Sequence, residues 1–265
     1  MIDMEKWRLN DMKFHDAYTN MSTDEALARL VGAGLSENII RLYGWKPSAV
    51  SIGYFQIVEE EVDVEACRSL GVDIIRRMTG GGAVYHDTNG EVTYSLIARQ
   101  GNPKIPSDIT DSYAAICSGI VTALNDLGID AVFKPINDIV VGNRKISGNA
   151  QTRRFGAIVQ HGTVLVDADI RTMFNVLKVS GEKISDKAIK AAEDRVTTIR
   201  RELGSKVSLE EVAEALARGF SKALGVELSK AELNERERET AKEMRVKKYA
   251  TRGWTFSRPK SEPQT

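Results

Sequence analysis

The run Arg76-Arg77-Met78-Thr79-Gly80-Gly81-Gly82-Ala83-Val84-Tyr85-His86-Asp87 stands apart from the rest of this 265-residue chain. Its two arginines end an apolar run, Val72-Asp73-Ile74-Ile75, that reads as a buried strand. Three consecutive glycines follow, and glycine loses more backbone entropy on ordering than any other residue. Such a run serves a turn with positive φ, or a backbone that something approaches closely. Free N–H groups beside two guanidinium groups make an anion site. His86 and Asp87 add a titratable pair. The plainer reading is a glycine-rich hairpin turn flanked by surface arginines.

Working outward, Asn20 to Leu35 reads as the first helix, with Ser22 and Glu25 at capping-box spacing. Two strands follow, at 38–45 and 48–53. Asp63 caps a short helix that ends at Leu70-Gly71. Beyond the glycines, a strand over 92–98 leads to a loop at 100–109. Tyr113, Ile116, Cys117, Ile120, Val121, Leu124 and Leu127 then recur at helical spacing over 111–127. Cys117 lies on that stripe, which reads as a small buried thiol rather than a nucleophile. Cys67 on the short helix reads the same way. Strands resume at 131–133 and 138–141, Gly142-Asn143 makes a tight turn, and 157–166 reads as one more strand or a broken pair. From Ile170 the chain reads as helical. One helix covers 208–224 behind a Ser208/Glu211 capping box, and a highly charged one covers 228–248. The tail after Arg258 reads as disordered.

Composition removes several function classes. Lys plus Arg equals Asp plus Glu, 37 each, so the basic excess of a general nucleic-acid binder is missing. The charged start is no signal peptide, and no run is long enough to span a membrane. Two cysteines in this length point to a reducing compartment, hence a cytoplasmic protein. With His only at 15, 86 and 161, a four-ligand structural zinc site is not expected.

A second constellation comprises Asn137-Asp138, Gly142-Asn143-Arg144-Lys145-Ile146-Ser147-Gly148-Asn149-Ala150-Gln151 and Gln160-His161-Gly162-Thr163. Small residues after Lys145 leave room for a ligand beside the ammonium. Asp138 can hold a metal ion on a phosphate. Taken singly, Lys145 is a solvated surface charge and His161 a satisfied core histidine.

Together, in this order, the two regions resemble the lipoate–protein ligase family, which groups with the biotin ligases and octanoyltransferases. The resemblance extends to Met21–Leu30 and to Asp194-Arg195-Val196-Thr197, so it spans at least residues 20–200. It implies an α/β (α+β) fold with a mixed, largely antiparallel sheet flanked by helices. It implies one catalytic unit over 1–250, a tail over 251–265, and no separate C-terminal accessory domain. The implied reaction has two steps. Lipoate or octanoate attacks ATP to give an acyl-adenylate, and a lysine of a carrier domain then takes the acyl group. ATP and Mg2+ are the implied cofactors. The implied partners are lipoyl carrier domains, of the 2-oxoacid dehydrogenase E2 or glycine-cleavage H type, and a separate small accessory subunit. Trp254 and Phe256 in the tail either dock that subunit or pack on their own domain.

The resemblance also assigns residues. Arg77 and the backbone of Gly80, Gly81, Gly82, Ala83, Val84 and Tyr85 would hold phosphate and acyl chain, with His86 near the adenylate. Asp138 would support Mg2+ through ATP. Lys145 would contact the acyl carbonyl and the α-phosphate. Ser147, Gly148, Ala150, His161 and Thr163 would complete the ATP and lipoate site.

The rival within the superfamily is an octanoyltransferase, which Glu91-Val92-Thr93-Tyr94-Ser95 and Asn149-Ala150-Gln151-Thr152-Arg153 also resemble. Those enzymes use a cysteine nucleophile before or after the lysine, and no cysteine occurs from 118 to 265. A biotin ligase is disfavoured because Arg77-Met78-Thr79-Gly80 lacks its Gly-Arg-Gly-Arg pattern. A catalytically silent lipoyl-binding module is disfavoured by the presence of both Lys145 and Asp138. No G-x-x-x-x-G-K-[ST] sequence is present, which excludes a P-loop NTPase.

Overall fold

Alternation along the chain builds two sheets whose facing surfaces hold the site. The structure is a computed structural model that describes residues 4–178 and 194–257. In chain order it runs β1 (Glu5–His15), α1 (Ala17–Gly32), β2 (Ile39–Trp45), β3 (Ala49–Ile52), α2 (Val58–Glu61), α3 (Val64–Leu70), β4 (Asp73–Arg76), β5 (Val84–His86), β6 (Glu91–Arg99) and α4 (Ile109–Asp126). It continues with β7 (Ala131–Lys134), β8 (Asp138–Val141), β9 (Arg144–Arg154), β10 (Ala157–Leu165), α5 (Ile170–Val176), α6 (Ile199–Leu203), α7 (Leu209–Leu224), β11 (Val226–Lys230) and α8 (Glu235–Met244). A π-helical turn (Arg245–Tyr249) and α9 (Arg252–Phe256) follow.

Eight strands form one sheet in the order β11-β1-β2-β6-β10-β9-β8-β7. β1 pairs parallel with β11 and β2, and every later pair is antiparallel. The mixed, largely antiparallel sheet flanked by helices is therefore present. Three strands form a second sheet, β4-β3-β5.

β6 is buried at eight of its nine positions, as a central strand must be. Its even residues Val92, Tyr94, Leu96 and Ala98 join the cluster under α4 and α7. Its Ile97 packs with Leu27, Ala28 and Val31 of α1 on the other face. α4 and α7 cross closely because both carry glycine at the crossing. A Cβ on Gly219 would fall 2.2 Å from the Gly119 carbonyl oxygen, and one on Gly119 would fall 2.4 Å from the Phe220 ring.

Several elements differ from the sequence reading. β1 was not foreseen. Trp7, Leu9 and Asn10 are its buried positions, and Lys6, Arg8 and Lys13 hide the alternation. α1 starts at Asp16, whose carboxylate accepts from the Thr19 amide at 2.7 Å. Ser22 and Glu25 are thus inside the helix and buried, and Ser22 bonds back to the Thr19 carbonyl. β5, a strand not expected between the glycines and residue 92, starts at Val84, with only Ala83 between it and Gly82. The charged helix expected over 228–248 begins at Glu235, because residues 226–230 add to the sheet edge as β11. Asn234 and Glu237 form the capping box that starts it. The Ser208/Glu211 box, the Asp63 cap and the turn at Gly142 stand as read. The tail after Arg258 lies outside the described residues.

α9 is packed on its own domain. Arg76 is fully buried and donates to the carbonyls of Trp254 and Thr255, while Trp254 Nε1 donates to the Arg76 carbonyl at 2.8 Å. No helix among the described residues is long and apolar enough to cross a membrane.

Candidate active site

Tyr43, Trp45, Thr93, His161 and Thr163 project from the large sheet toward Ser51, Val84 and His86 of the small one, with Met21 of α1 closing one side. The glycine loop roofs the space between them. The resulting cavity is about 150 Å3. Arg77, Gly81, Gly82, Ala83, Val84, His86, Lys145, Gly148, Ala150, His161 and Thr163 all line it, so the two motifs converge. Gly80, Tyr85, Asp138 and Ser147 do not line it. Tyr85 belongs to the apolar cluster beneath the small sheet, and Ser147 is buried.

The arginines are not surface groups. Arg77 is buried and spends every N–H it has. Nε donates to Thr79 Oγ1 at 3.1 Å, Nη1 to the Ser51 carbonyl at 3.0 Å and Ser51 Oγ at 3.2 Å, and Nη2 to the carbonyls of Gly80 and Gly82 at 2.7 Å each. Arg76 likewise donates to the carbonyls of Gly53, Tyr54 and Gln56. Both side chains therefore shape the loop rather than extend into open space. Burial lowers the Arg77 pKa to about 10, so the group stays charged at neutral pH. Among the described residues no carboxylate neutralises it. Its field thus favours an anion in the cavity, and in a low-dielectric setting that field is weakly screened.

The loop backbone supplies matching donors. Among the described residues the amides of Gly80, Gly81, Gly82 and Ala83 donate to no other protein group. Gly81 has φ +91°, a conformation that favours glycine. Gly53 is required for close approach, since a Cβ there would fall 2.0 Å from the Gly81 carbonyl oxygen.

Lys145 is the second residue of β9 and its side chain is partly exposed. Its backbone is clamped on both sides: its amide donates to the Arg195 carbonyl and its carbonyl accepts from the Thr197 amide, each at 2.8 Å. Its ammonium lies 2.6 Å from Asp138 Oδ1. Asp138, the carboxylate expected to support Mg2+ through ATP, is thus placed beside the lysine ammonium. Magnesium in nucleotide sites is bound through one or two carboxylates together with substrate phosphates, and Asp138 is the carboxylate beside Lys145. Among the described residues no group of three or more His, Cys, Asp or Glu is placed to hold a metal.

Arg77 also joins two buried histidine relays. On one side Ser51 Oγ contacts His86 Nε2 at 2.8 Å, and His86 Nδ1 contacts Glu91 Oε1 at 2.7 Å. Thr93 Oγ1 donates to the same Glu91 oxygen at 2.7 Å, Trp45 Nε1 donates to Thr93 at 2.8 Å, and the Trp45 ring stacks on His86 at 3.9 Å. On the other side Thr79 Oγ1 contacts His161 Nε2 at 2.7 Å, and His161 Nδ1 lies 3.2 Å from Asp24 Oδ2. Asp24 is also held by Arg41, Tyr43 and Ser95. Burial pushes Asp24 up, but Arg41 and its hydrogen bonds outweigh that and leave it below the usual carboxylate range. Burial lowers the His161 pKa despite Asp24. Trp45, Ser51, Glu91 and Asp24 were not singled out from the sequence as site residues.

Neither thiol reaches this chemistry. Cys67 and Cys117 are buried. Burial pushes their pKa values up to about 11 and about 12. Cys117 lies in the core, 3.5 Å from Gln160 Nε2.

Comparison with known proteins fits this arrangement. A sequence model described as the lipoyl protein ligase A/B catalytic domain matches residues 16–221. Among curated proteins, the chain is 38% identical to Octanoyltransferase LipM of Kyrpidia tusciae, over 96% of this chain and 99% of that protein. Among solved structures, it is similar to a bi-partite lipoate protein ligase from Thermoplasma acidophilum, with a TM-score of 0.86, 34% identity and coverage of 98% and 100% of the two chains. It is also similar to a lipoate-protein ligase A bound with ATP, with a TM-score of 0.82, 32% identity and coverage of 97% and 100%.

Proposed function

Because the chain belongs to the lipoyl protein ligase A/B catalytic-domain family, we propose that it places a lipoyl or octanoyl group on a lysine amine of a lipoyl carrier domain. The observation that carries this is the Lys145 ammonium at a cavity roofed by the amides of Gly81 to Ala83, which are unpaired among the described residues. An acyl carbonyl seated there develops negative charge as the amine attacks. Fixed donors at that point stabilise the transition state more than the ground state. The similar archaeal ligase was described together with its E2 lipoyl domain, which supports that class of acceptor.

Two acyl donors come into question. The curated relative is named an octanoyltransferase. On names, the transferase alternative stands ahead of the ATP-dependent ligase. One observation favours the ligase: the only two cysteines in the sequence, Cys67 and Cys117, are buried and hard to ionise. A transferase that works through a cysteine thioester needs an accessible thiolate. An acyl-adenylate needs none, and its phosphate suits the loop amides and the Arg77 charge, which no carboxylate among the described residues pairs with. We propose further that a separate small accessory subunit assists activation, as the bi-partite nature of the similar archaeal ligase suggests.

Intact-mass analysis of a lipoyl domain decides between donors. One arm supplies an octanoyl-carrier thioester without nucleotide, and the other supplies Mg-ATP with free octanoate or lipoate. Each is run with and without the accessory protein. Acylation in the ATP arm alone supports the ligase. Acylation in the thioester arm alone establishes the transferase. Acylation in neither overturns the acyl-transfer reading.

A further inference from the structure

The acyl cavity contains a hydroxyl arranged as a nucleophile. Ser51 Oγ, His86 Nε2 and Nδ1, and Glu91 Oε1 are joined at 2.8 and 2.7 Å. A serine, a histidine and a carboxylate so linked are recognised by geometry and role rather than by sequence position. The proton positions follow from chemistry. Glu91 is an acceptor, so His86 carries its proton on Nδ1, and Nε2 is left with a lone pair facing Ser51. The Ser51 O–H then donates to Nε2. Arg77 Nη1 donates to the same oxygen at 3.2 Å, which favours the charge that appears there when the proton leaves. His86 is held in place by its Trp45 stack, and Glu91 by Thr93.

The position fits an acyl carbonyl. Ser51 pairs with Val84 across the small sheet, so it lies beside the end of the glycine loop, whose amides are unpaired among the described residues. A built-in comparison exists in Thr79, which has the same relay through His161 to Asp24. Ser51 lines the cavity and Thr79 does not.

We infer that Ser51 is an acyl acceptor, forming a serine ester with a medium-chain acyl group that enters from a thioester, ester or mixed anhydride. The inference rests on the acyl-transfer reading. In the first step the Oγ–acyl bond forms, the bond from acyl carbon to leaving group breaks, and the serine proton passes to His86 Nε2 and on to the leaving group. In the second step an amine takes the acyl carbon, the Oγ–acyl bond breaks, and one amine proton returns through His86 to Ser51. No oxidant or reductant is involved. The ester would occupy the place that a cysteine thioester holds in a transferase, in a chain whose thiols are out of reach.

The test uses the full chain with p-nitrophenyl octanoate. Wild type should release about one equivalent of p-nitrophenolate in a burst, the kinetic mark of an acyl-enzyme. Peptide mapping should then place the octanoyl group on Ser51, and Ser51→Ala should abolish the burst. Glu91→Gln leaves Ser51 in place but removes the carboxylate that sets the tautomer, and should slow the burst by roughly 10,000-fold. Because Ser51→Ala opens a buried network, Ser51→Cys is the companion variant, and it should keep the burst. An adduct on Lys145 or on Thr79 instead of Ser51 overturns the inference. So does the absence of any adduct while a lipoyl domain is acylated in the experiment above, and the acyl-transfer reading then survives. Absence of both adduct and carrier acylation overturns the two together.

Discussion

A side chain on Gly148 would collide with Lys145: its Cβ would fall 2.7 Å from both Cε and Nζ of the lysine. The small residue therefore creates the berth in which the ammonium folds back toward Asp138. Gly148→Ala leaves the strand intact but displaces the charge. A shift of about 1 Å in a reacting or stabilising group can reduce rate by roughly 100-fold. We expect Gly148→Ala to lose acyl transfer by about that factor with an unchanged melting temperature, measured by carrier-domain acylation and thermal unfolding. Activity within threefold of wild type would remove Gly148 from the positioning of Lys145.

Lys145 itself should be indispensable. Loss of one preorganised donor at a developing oxyanion costs about 100- to 1,000-fold, and Lys145→Ala should fall in that range. Lys145→Arg should also fail. The planar guanidinium is larger than the ammonium, and the berth beside Gly148 fits a compact charge. Single-turnover acylation with substrate saturating separates a rate defect from a binding defect, and the rate should carry the effect.

Removal of both thiols should leave acylation intact. Cys67 and Cys117 are buried with pKa values pushed up to about 11 and about 12, so neither presents a thiolate at neutral pH. The Cys67→Ser, Cys117→Ala protein should modify its carrier at near wild-type rate. It should lose about 1 kcal/mol of stability, the usual magnitude for a mild core truncation. Loss of acylation in the folded double variant, with a thioester trapped in wild type, would establish a cysteine mechanism.

What the sequence revealed and hid follows from the range of each signal. The glycine run and the Arg144-Lys145-Ile146-Ser147-Gly148 segment are local, so their residue types spoke directly. The direction of Arg77 is not local. Nothing in the sequence says that its donors meet the carbonyls of Ser51, Gly80 and Gly82. Ser51, Trp45 and Asp24 enter the site through pairings between distant strands and a helix, such as Ser51 with Val84. Asp24 looked like a first-turn helix residue, when a helix starting at Asp16 turns it inward. β1 and β11 were hidden for the same reason. Their parallel pairing joins residues 5–9 to 226–230, and only that long-range partner makes Glu227-Leu228-Ser229-Lys230 a strand rather than a helix.

His161 should make the fold acid-sensitive. It is buried and its pKa lies below the ordinary 6.5, first because burial disfavours the charged ring, with Arg77 and His86 adding to the effect. Asp24 opposes the shift without cancelling it. Its neutral form is also the one the hydrogen bonds satisfy, with Nδ1–H toward Asp24 and Nε2 accepting from Thr79. Below pH 6.5 the unfolded chain takes up a proton that the folded chain refuses, so stability falls as pH falls. The loss begins near pH 6.5 and continues down to the folded pKa. His15 is lowered too, mainly by burial, and contributes with the same sign. Asp24, held below its ordinary 3.8, adds a separate loss that begins only as pH falls to about that value. Urea midpoints for wild type should therefore drop between pH 7.5 and 5. His161→Gln keeps a polar group facing Thr79 and Asp24 but cannot titrate, so its midpoint should vary less over the same interval, whatever its absolute stability. His15→Gln measures the other contribution. If His161→Gln retains the full wild-type slope, His161 is not a source of the acid sensitivity.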